Sequence, residues 1–207
     1  AQGGFWPESL VIRGGPPIEQ LPGFRDGWFS IQDQAASWIA QLMDIRSGDF
    51  VWDVCAGPGG KAVHIAERMN DSGFILATDT HVNRLLKVIE NSRRLGLKSV
   101  HAVRADATLD IVRDSMFDAV LVDAPCSGLG VLRRHPEAKW NKEKADILRM
   151  SKIQIQILKK ASRNVRLGGS VLFCVCSNEA EETFDVARAF SESPEGADFK
   201  VEDLSVA

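Results

Sequence analysis

The sequence has 207 residues, 44% of them hydrophobic, which is enough for one α/β domain with a full core. Its formal net charge of −3 argues against non-specific coating of nucleic acid but allows a local basic groove. No apolar run approaches the roughly 20 residues that span a bilayer, the first residues lack the pattern of a secretory signal, and the cysteines lack disulfide-framework or zinc-site spacing. We therefore expect a cytoplasmic protein with reduced thiols, no metal and no membrane segment.

The first half of the chain predicts a turn-rich segment followed by alternating helices and strands. Residues 1–29 contain GG, GGPP, LPG and DGW, so we expect turns and short extended pieces that pack on a domain formed by residues 30–207. Ser30 and Asp33 resemble a capping box, which predicts a helix over 31–44. The strand DFVWDVCAG, the helix KAVHIAERM, the strand GFILATD and the helix HVNRLLKVIENSRRLGL follow, the last with an apolar face of Val82, Leu85, Leu86 and Ile89.

The second half of the chain continues this alternation. We predict strands in SVHAVRADA and FDAVLVDAP, a long helix over 142–166 that ends at Gly168 and Gly169, a strand SVLFCVC, and a helix over 179–190. Each strand is almost continuously apolar, as expected when helices cover both faces of a parallel sheet. The predicted fold class is α/β, with an open doubly wound, mostly parallel sheet in which ligands bind beyond the carboxyl ends of the strands.

A glycine-rich loop joins the first strand of this sheet to its helix. DVCAGPGGK ends at Lys61 and matches neither the Walker pattern nor G-x-G-x-x-G. Asp79 ends the next strand, where a carboxylate can accept both hydroxyls of a ribose, and Asp106 follows the third, where a base edge could be met. This pattern indicates a nucleoside cofactor without a pyrophosphate, of which S-adenosyl-L-methionine is the common one. The alternative is a tight turn with incidental surface acids.

Two cysteines stand at the ends of consecutive predicted strands. Cys126 follows the fourth strand and Cys176 ends the fifth, so both thiols can face one cleft. A thiolate that adds to carbon 6 of cytosine makes carbon 5 nucleophilic enough to accept a methyl cation. The cations that are candidates to lower a thiol pKa are Lys61, Arg133 and Arg134.

Asp123 comes three residues before the first of these thiols. If it is protonated in a dry pocket, it can donate to ring nitrogen 3 of the base and stabilise the addition. The alternative for the cysteines is a packing role in the core. That interpretation suits Cys174 and Cys55 better than Cys126, because the sequence Pro-Cys-Ser-Gly breaks the strand instead of filling its core.

These motifs resemble those of the Sun/Nop family of RNA cytosine carbon-5 methyltransferases, close to the bacterial RsmB-type ribosomal RNA enzymes. The resemblance extends from about residue 24 to residue 182. It rests on FSIQDQAASWIAQLM, DVCAGPGGK, ATDTHVNRL, NSRRLGL, RADA, DAPCSGLGVLRRHPEAKW and CSNEAEE. It implies a Rossmann-like class I methyltransferase fold and methylation of carbon 5 of a cytosine, with 16S ribosomal RNA as the expected substrate, through a covalent cysteine–cytosine intermediate.

The resemblance also implies an order for the two thiols. Cys176 is the nucleophile, Cys126 assists release of the methylated product, and Asp123 contacts both cofactor and base. Spacing alone leaves the order open, and the precedent of DNA cytosine methyltransferases favours Cys126 as the nucleophile.

The resemblance assigns the cofactor site as well. Asp79 binds the ribose of S-adenosyl-L-methionine, Arg84 supports that site one turn into the following helix, and Asp106 lies on the adenine side. The residues assigned to the methionine side are Cys55, Ala56, Gly57, Pro58, Gly59, Gly60 and Lys61. The family fold ends with two further strands that this chain does not supply before Ala207, so we expect either a C-terminally truncated catalytic domain or a sheet that ends early.

A basic and aromatic segment follows Cys126 in the sequence. Arg133, Arg134 and His135 can hold phosphates, and Trp140 can stack on an unpaired base, although packing of Trp140 under a helix is an equal alternative. The target cytosine must be single-stranded or flipped out. We expect a monomer with an RNA partner. Methylation of transfer RNA or another RNA, and a non-catalytic RNA-binding or ribosome-assembly factor with the same fold, remain the alternatives.

Overall fold

The computed structural model describes residues 2–3, 9–133, 136 and 138–202. Near the N-terminus, β1 (Gln2–Gly3) pairs antiparallel with β2 (Leu10–Val11). The main sheet consists of β3 (Phe50–Asp53), β4 (Phe74–Asp79), β5 (Val100–Arg104), β6 (Phe117–Asp123) and β7 (Val165–Cys174). The described α-helices are α1 (Gln34–Leu42), α2 (Gly60–Arg68), α3 (Val82–Arg94), α4 (Ala138–Asn141), α5 (Lys144–Ser162) and α6 (Phe184–Ser191).

The main sheet confirms the predicted doubly wound architecture. Its strand order is β5-β4-β3-β6-β7, and all neighbouring strands are parallel. The chain enters at the centre in β3, runs out to one edge through β4 and β5, and returns to the other side of β3 with β6. The strand order therefore reverses between β3 and β6, where the loops after these strands diverge and open a crevice at the carboxyl edge.

Helices cover both faces of the sheet, so the core has two halves. On one face, Val51 and Leu121 pack with residues of α1, α2 and α3. On the other face, Trp52 and Val120 pack with residues of α5 and α6. Neighbours in one strand enter opposite halves because side chains alternate across a sheet. This explains why the strands are almost continuously apolar in sequence.

Two helices differ from the prediction, α1 in its N-terminal cap and α3 in the face that it buries. Asp33 is the N-cap of α1, and its side chain accepts a hydrogen bond from the Ala35 N–H at 2.9 Å, so the expected capping box that begins at Ser30 is wrong. In α3, Val82 and Leu86 are 48% and 55% exposed, so they do not belong to the buried face. The face that packs on the sheet consists of Leu85, Val88 and Ser92, at the i, i+3 and i+7 positions of one helical stripe.

The predicted end of the long helix and the start of the last helix also need correction. The helix α5 ends at Ser162, because β7 already begins at Val165. Val165 pairs with Phe117, but Ser170 pairs with Ala119, so the glycines at 168 and 169 lie in an irregularity inside β7. After β7, a short 3-10 turn over Ala180–Glu182 precedes α6, where the sequence predicts a continuous helix.

The N-terminal segment contacts α3 through one arginine. The Arg94 guanidinium donates to the Phe24 and Phe29 carbonyls at 2.8 and 3.0 Å, and it lies 4.1 Å from the centre of the Phe24 ring. These contacts satisfy carbonyls of a turn-rich stretch that has little regular structure of its own. In the part of the chain that the structure describes, no helix combines the length and the apolar composition that a membrane span requires.

Candidate active site

The glycine-rich loop between β3 and α2 passes very close to the residues that follow β4. A Cβ atom at Gly57 would collide with the side chains of Asp79 and Arg84. Gly59 has a φ of 105° and is the N-cap of α2, and a side chain there would meet the backbone of Val88. Glycine is therefore required at both positions, at the first for space and at the second for space and backbone conformation.

Asp79 lies at the carboxyl end of β4 and is only 6% exposed. Its Oδ1 accepts a hydrogen bond from the His81 N–H at 2.7 Å, and its Oδ2 lies 3.8 Å from Nη1 of Arg84. The carboxylate is thus held against the glycine loop by the start of α3. This is the position at which a ribose is bound in doubly wound folds.

Asp106 follows β5, which is the edge strand on the opposite side of the sheet from the two thiols. Its Oδ1 accepts hydrogen bonds from the N–H and the hydroxyl of Thr108 at 2.9 and 2.7 Å. These hydrogen bonds keep the pKa of Asp106 below its ordinary value. The residue is exposed, ionised and held in a local turn, which suits a hydrogen bond to a ligand at this edge.

Lys61 and Asp123 form an ion pair between the first turn of α2 and the end of β6. The Lys61 Nζ donates to Asp123 Oδ2 at 2.6 Å, and the Cys174 thiol donates to Oδ1 at 3.5 Å. Burial lowers the pKa of Lys61, but the charge of Asp123 and the hydrogen bond to it more than offset this effect, so the pKa is raised. In this arrangement Asp123 is the acceptor in an ion pair and not an isolated acid in an apolar pocket.

The thiols of Cys126 and Cys176 meet above the carboxyl ends of β6 and β7, with their sulfur atoms 2.9 Å apart. Cys176 is exposed and Cys126 is only half-buried. The hydrogen bond from Cys126 lowers the pKa of Cys176 to about 7. The same contact, together with burial, raises the pKa of Cys126. When the pair loses a proton, the negative charge therefore falls on the more exposed sulfur, and Cys126 keeps its proton.

The remaining two cysteines pack beside the core, as their sequence positions suggest. Cys55 contacts the core half that contains Trp52, and Cys174 contacts the other half. Burial raises the pKa of both thiols above its ordinary value. Neither thiol is therefore a thiolate at neutral pH.

A buried acid, Asp53, lies at the same edge of the sheet and is not among the site residues predicted from the sequence. It is the last residue of β3, it is fully buried, and neither carboxyl oxygen has a hydrogen-bond partner. Burial raises its pKa to about 7, and the nearby charge of Asp123 adds to this effect. An acid that ends an apolar strand directly before a glycine-rich loop was the signal in the sequence. A buried carboxyl group without a partner at this edge suits a ligand that brings a donor or a positive charge.

A second buried acid, Glu182, was also missed. It is 0% exposed, and its carboxylate accepts hydrogen bonds from the Ser127 N–H at 2.7 Å, from the Ser127 hydroxyl, and from the Gln154 side chain at 3.3 Å. The Ser127 hydroxyl also lies 3.2 Å from that of Ser177. Because serines 127 and 177 directly follow the two thiol residues, this network lies directly behind the thiols.

The basic and aromatic segment is described only in part. Arg133 and Trp140 are exposed, and Trp140 is 81% exposed, so the alternative that it packs under a helix is wrong. Arg134 and His135 lie outside the described residues. The turn before this segment touches the site, because the Gly130 N–H donates to the Cys176 carbonyl at 3.0 Å.

The fold and the site together define a class of protein. A parallel sheet of this order, with a glycine-rich loop after its first strand and acids after the next two, is the Rossmann-like fold of S-adenosylmethionine-dependent methyltransferases. Within that class, residues 40–204 match the family model described as 16S rRNA methyltransferase RsmB/F. The chain belongs to this family.

Individual relatives agree with this assignment. A probable ribosomal RNA small subunit methyltransferase B of Synechocystis sp. is 40% identical over 186 residues, which are 88% of this chain and 42% of the relative. The ribosomal RNA small subunit methyltransferase B of Enterobacter sp. is 35% identical over 187 residues, which are 89% of this chain and 43% of the relative. The structure of NSun6 from Pyrococcus horikoshii with SFG superposes with a TM-score of 0.81 at 30% identity, over 92% of this chain and 48% of that chain. The chain thus spans less than half the length of these proteins.

Proposed function

We propose that this chain is the catalytic domain of an S-adenosylmethionine-dependent RNA methyltransferase that modifies carbon 5 of a cytosine, with 16S ribosomal RNA as the substrate. The observation that carries the proposal is the contact between the Cys126 and Cys176 sulfur atoms, 2.9 Å apart, at the crevice of a methyltransferase fold. Membership of the RsmB/F family supports the choice of ribosomal RNA. Such a substrate would place the activity in the cytoplasm.

The residues around the glycine loop suit S-adenosyl-L-methionine. When bound, this cofactor supplies the methyl group as an electrophile. We assign its ribose to Asp79 with Arg84 beside it, and its adenine side to Asp106, because these carboxylates follow adjacent strands at the same edge. The partnerless carboxyl group of Asp53 supports a ligand that brings positive charge to the loop. The loop residues that would line the methionine side are Cys55, Ala56, Gly57, Pro58, Gly59, Gly60 and Lys61.

Cys176 is our candidate for the nucleophile. Its sulfur is exposed and its pKa is lowered to about 7, so a large share is thiolate at neutral pH. Addition of this thiolate to carbon 6 of cytosine forms the sulfur–carbon bond and moves the ring electrons to carbon 5, which then takes the methyl group. Asp123 would donate a proton to ring nitrogen 3 during the addition, and Lys61, 2.6 Å away, is the adjacent proton source.

Cys126 is our candidate for product release. After methylation, carbon 5 loses its proton to a base, the ring double bond returns, and the sulfur–carbon 6 bond breaks. The departing sulfur leaves as a thiolate, and the Cys126 thiol is already positioned to donate a hydrogen bond to it. Loss of that donor should slow the last step more than the first, because the charge on the Cys176 sulfur develops as the adduct breaks.

The RNA must present the cytosine unpaired, because a thiolate cannot reach carbon 6 of a stacked base. Arg133 and Trp140 are exposed after the turn that touches Cys176, and they are our candidates for contacts to phosphate and to an unpaired base. By their positions in the sequence, Arg134 and His135 are further candidates for contacts to the phosphates of the RNA.

The test is to incubate the wild-type chain, Cys126→Ser and Cys176→Ser with S-adenosyl-L-methionine and 16S ribosomal RNA, and to look for covalent protein–RNA adducts on a denaturing gel. We expect an adduct to accumulate with Cys126→Ser and to be missing with Cys176→Ser. An adduct only with Cys176→Ser would exchange the two roles. Nucleoside mass spectrometry of transfer RNA and ribosomal RNA treated with the wild type distinguishes the substrate. If the wild-type chain binds RNA but produces no 5-methylcytosine in any RNA tested, the result would favour a non-catalytic factor instead.

A further inference from the structure

We propose that Glu182 is a positioning residue that holds the Cys126 and Cys176 loops together and thereby sets the distance between the two thiols. The expected effect on catalysis rests on the proposed function, whereas the effect on the distance between the thiols concerns only this chain. Glu182 lies in the 3-10 turn before α6, six residues after the exposed thiol, and its side chain is fully buried behind the site.

The first step is that Glu182 anchors the loop that carries Cys126. Its Oε1 accepts the Ser127 N–H at 2.7 Å, and its Oε2 accepts the Ser127 hydroxyl. Gln154, from α5, donates to the Pro125 carbonyl at 2.9 Å and to Glu182 Oε1 at 3.3 Å. The backbone on both sides of Cys126 is therefore tied to one buried carboxylate.

The second step is that the same network reaches the loop that carries Cys176. The Ser127 hydroxyl has a single hydrogen, and it donates this hydrogen to the carboxylate, so Ser177 must be the donor in the 3.2 Å contact between the two hydroxyls. The Ser177 oxygen in turn accepts the Glu179 N–H at 3.2 Å. The hydrogen bonds thus run in one direction, from the turn that precedes α6 through both serines to Glu182.

The third step is that the two thiols depend on this network for their contact. Cys126 and Cys176 are 50 positions apart in the sequence, and each is joined to a network serine by one peptide bond. A carboxylate is required at 182 because the position must accept at least two donors from Ser127. The isosteric glutamine has one acceptor oxygen and would turn an amide N–H₂ towards a donor. Glu182→Gln therefore keeps the volume of the side chain but breaks the direction of the network.

The experiment measures the separation of the thiols without RNA. In glutathione buffers, reduced Cys126 and Cys176 react with oxidised glutathione to give one disulfide and two reduced glutathione molecules. The position of this equilibrium reports the effective concentration of one thiol at the other. The species are mapped by peptide mass spectrometry in the wild type, Glu182→Gln and the matched control Glu181→Gln, which makes the same change in the neighbouring acid.

We expect Glu182→Gln to lower the effective concentration about tenfold or more, as for the loss of a hydrogen bond to a charged group, and Glu181→Gln to leave it unchanged. With RNA and S-adenosyl-L-methionine, Glu182→Gln should lower kcat and leave both KM values unchanged, because it touches neither ligand. A folded Glu182→Gln variant whose thiol equilibrium and kcat equal those of Glu181→Gln would overturn the inference.

Thermal unfolding shows whether Glu182→Gln still folds, since it changes a buried group. If it does not, Ser177→Ala decides, because this variant removes the serine link between the loops but keeps the Glu182–Ser127 pair and the hydrogen bond from the Gly130 N–H to the Cys176 carbonyl. An effective concentration equal to that of the wild type in Ser177→Ala would then overturn the inference, and a fall would support it. If the wild type methylates no RNA, the proposed function fails, and the thiol equilibrium still tests the role of Glu182.

Discussion

Replacing Cys126 with alanine tests the electrostatics of the thiol pair. The hydrogen bond from Cys126 is the largest cause of the fall in the pKa of Cys176 from its ordinary value of 9.0 to about 7. Alanine removes this donor, so the pKa of Cys176 should return towards 9.0. The thiolate is the deprotonated form, and a higher pKa therefore leaves less of it at neutral pH.

The magnitude follows from these two pKa values. At pH 7 the thiolate fraction falls from about one half to about 1%, which is a loss of about fiftyfold. A thiolate of higher pKa is intrinsically more nucleophilic, which recovers about tenfold. Alkylation of Cys176 at pH 7 should therefore slow about fivefold in Cys126→Ala, whereas above about pH 9 the variant should react faster than the wild type.

The assay is the rate of iodoacetamide modification of Cys176, followed by peptide mass spectrometry across the range from about pH 5 to about pH 10. Cys55→Ala is the control, because it removes a thiol that packs in the core and should leave the midpoint of Cys176 at the wild-type value. The same midpoint in the wild type and in Cys126→Ala would refute the reasoning. So would a wild-type midpoint near the ordinary value.

Three further predictions address the cofactor loop, the buried acid and the RNA surface. Gly57→Ala should destabilise the chain by about 1–3 kcal/mol in thermal unfolding through its collision with neighbouring side chains, whereas Gly60→Ala, with open space around its Cβ position, should unfold like the wild type. Because the folded state raises the pKa of Asp53 from 3.8 to about 7, its stabilising contribution is present below about pH 4 and is lost as the pH rises through about 7. In denaturant unfolding, the free energy of unfolding of the wild type relative to that of Asp53→Asn should fall by up to about 4 kcal/mol over that pH range. A difference between the two proteins that does not change with pH would contradict this prediction. Trp140→Ala should weaken binding of single-stranded RNA by about 1–3 kcal/mol, measured by filter binding. Trp28→Ala, which removes a tryptophan of similar exposure, should not weaken binding. An equal loss of affinity in the two variants would exclude a specific role for Trp140.

Much of the architecture could be predicted because local patterns carry it. Continuous apolar strands between helices predict a covered parallel sheet, and adjacent parallel strands end at one edge, so Cys126 and Cys176 were expected to share a cleft. The errors occur where packing overrides a local signal. Val82 and Leu86 have suitable spacing for a buried face, but α3 turns Leu85 and Val88 towards the sheet because the glycine loop packs against Val88.

The sequence by itself determined the fold class, the position of the glycine loop and the candidate acids and thiols, because each of these is a short-range pattern of residue types. Only the tertiary structure decided how these groups are charged and held. Asp53 is buried without a partner, Lys61 pairs with Asp123 from 62 positions away, and Glu182 binds Ser127 from 55 positions away. The pKa of a side chain and the number of its hydrogen bonds depend on neighbours that are distant in the chain, and only the folded packing brings those neighbours into contact.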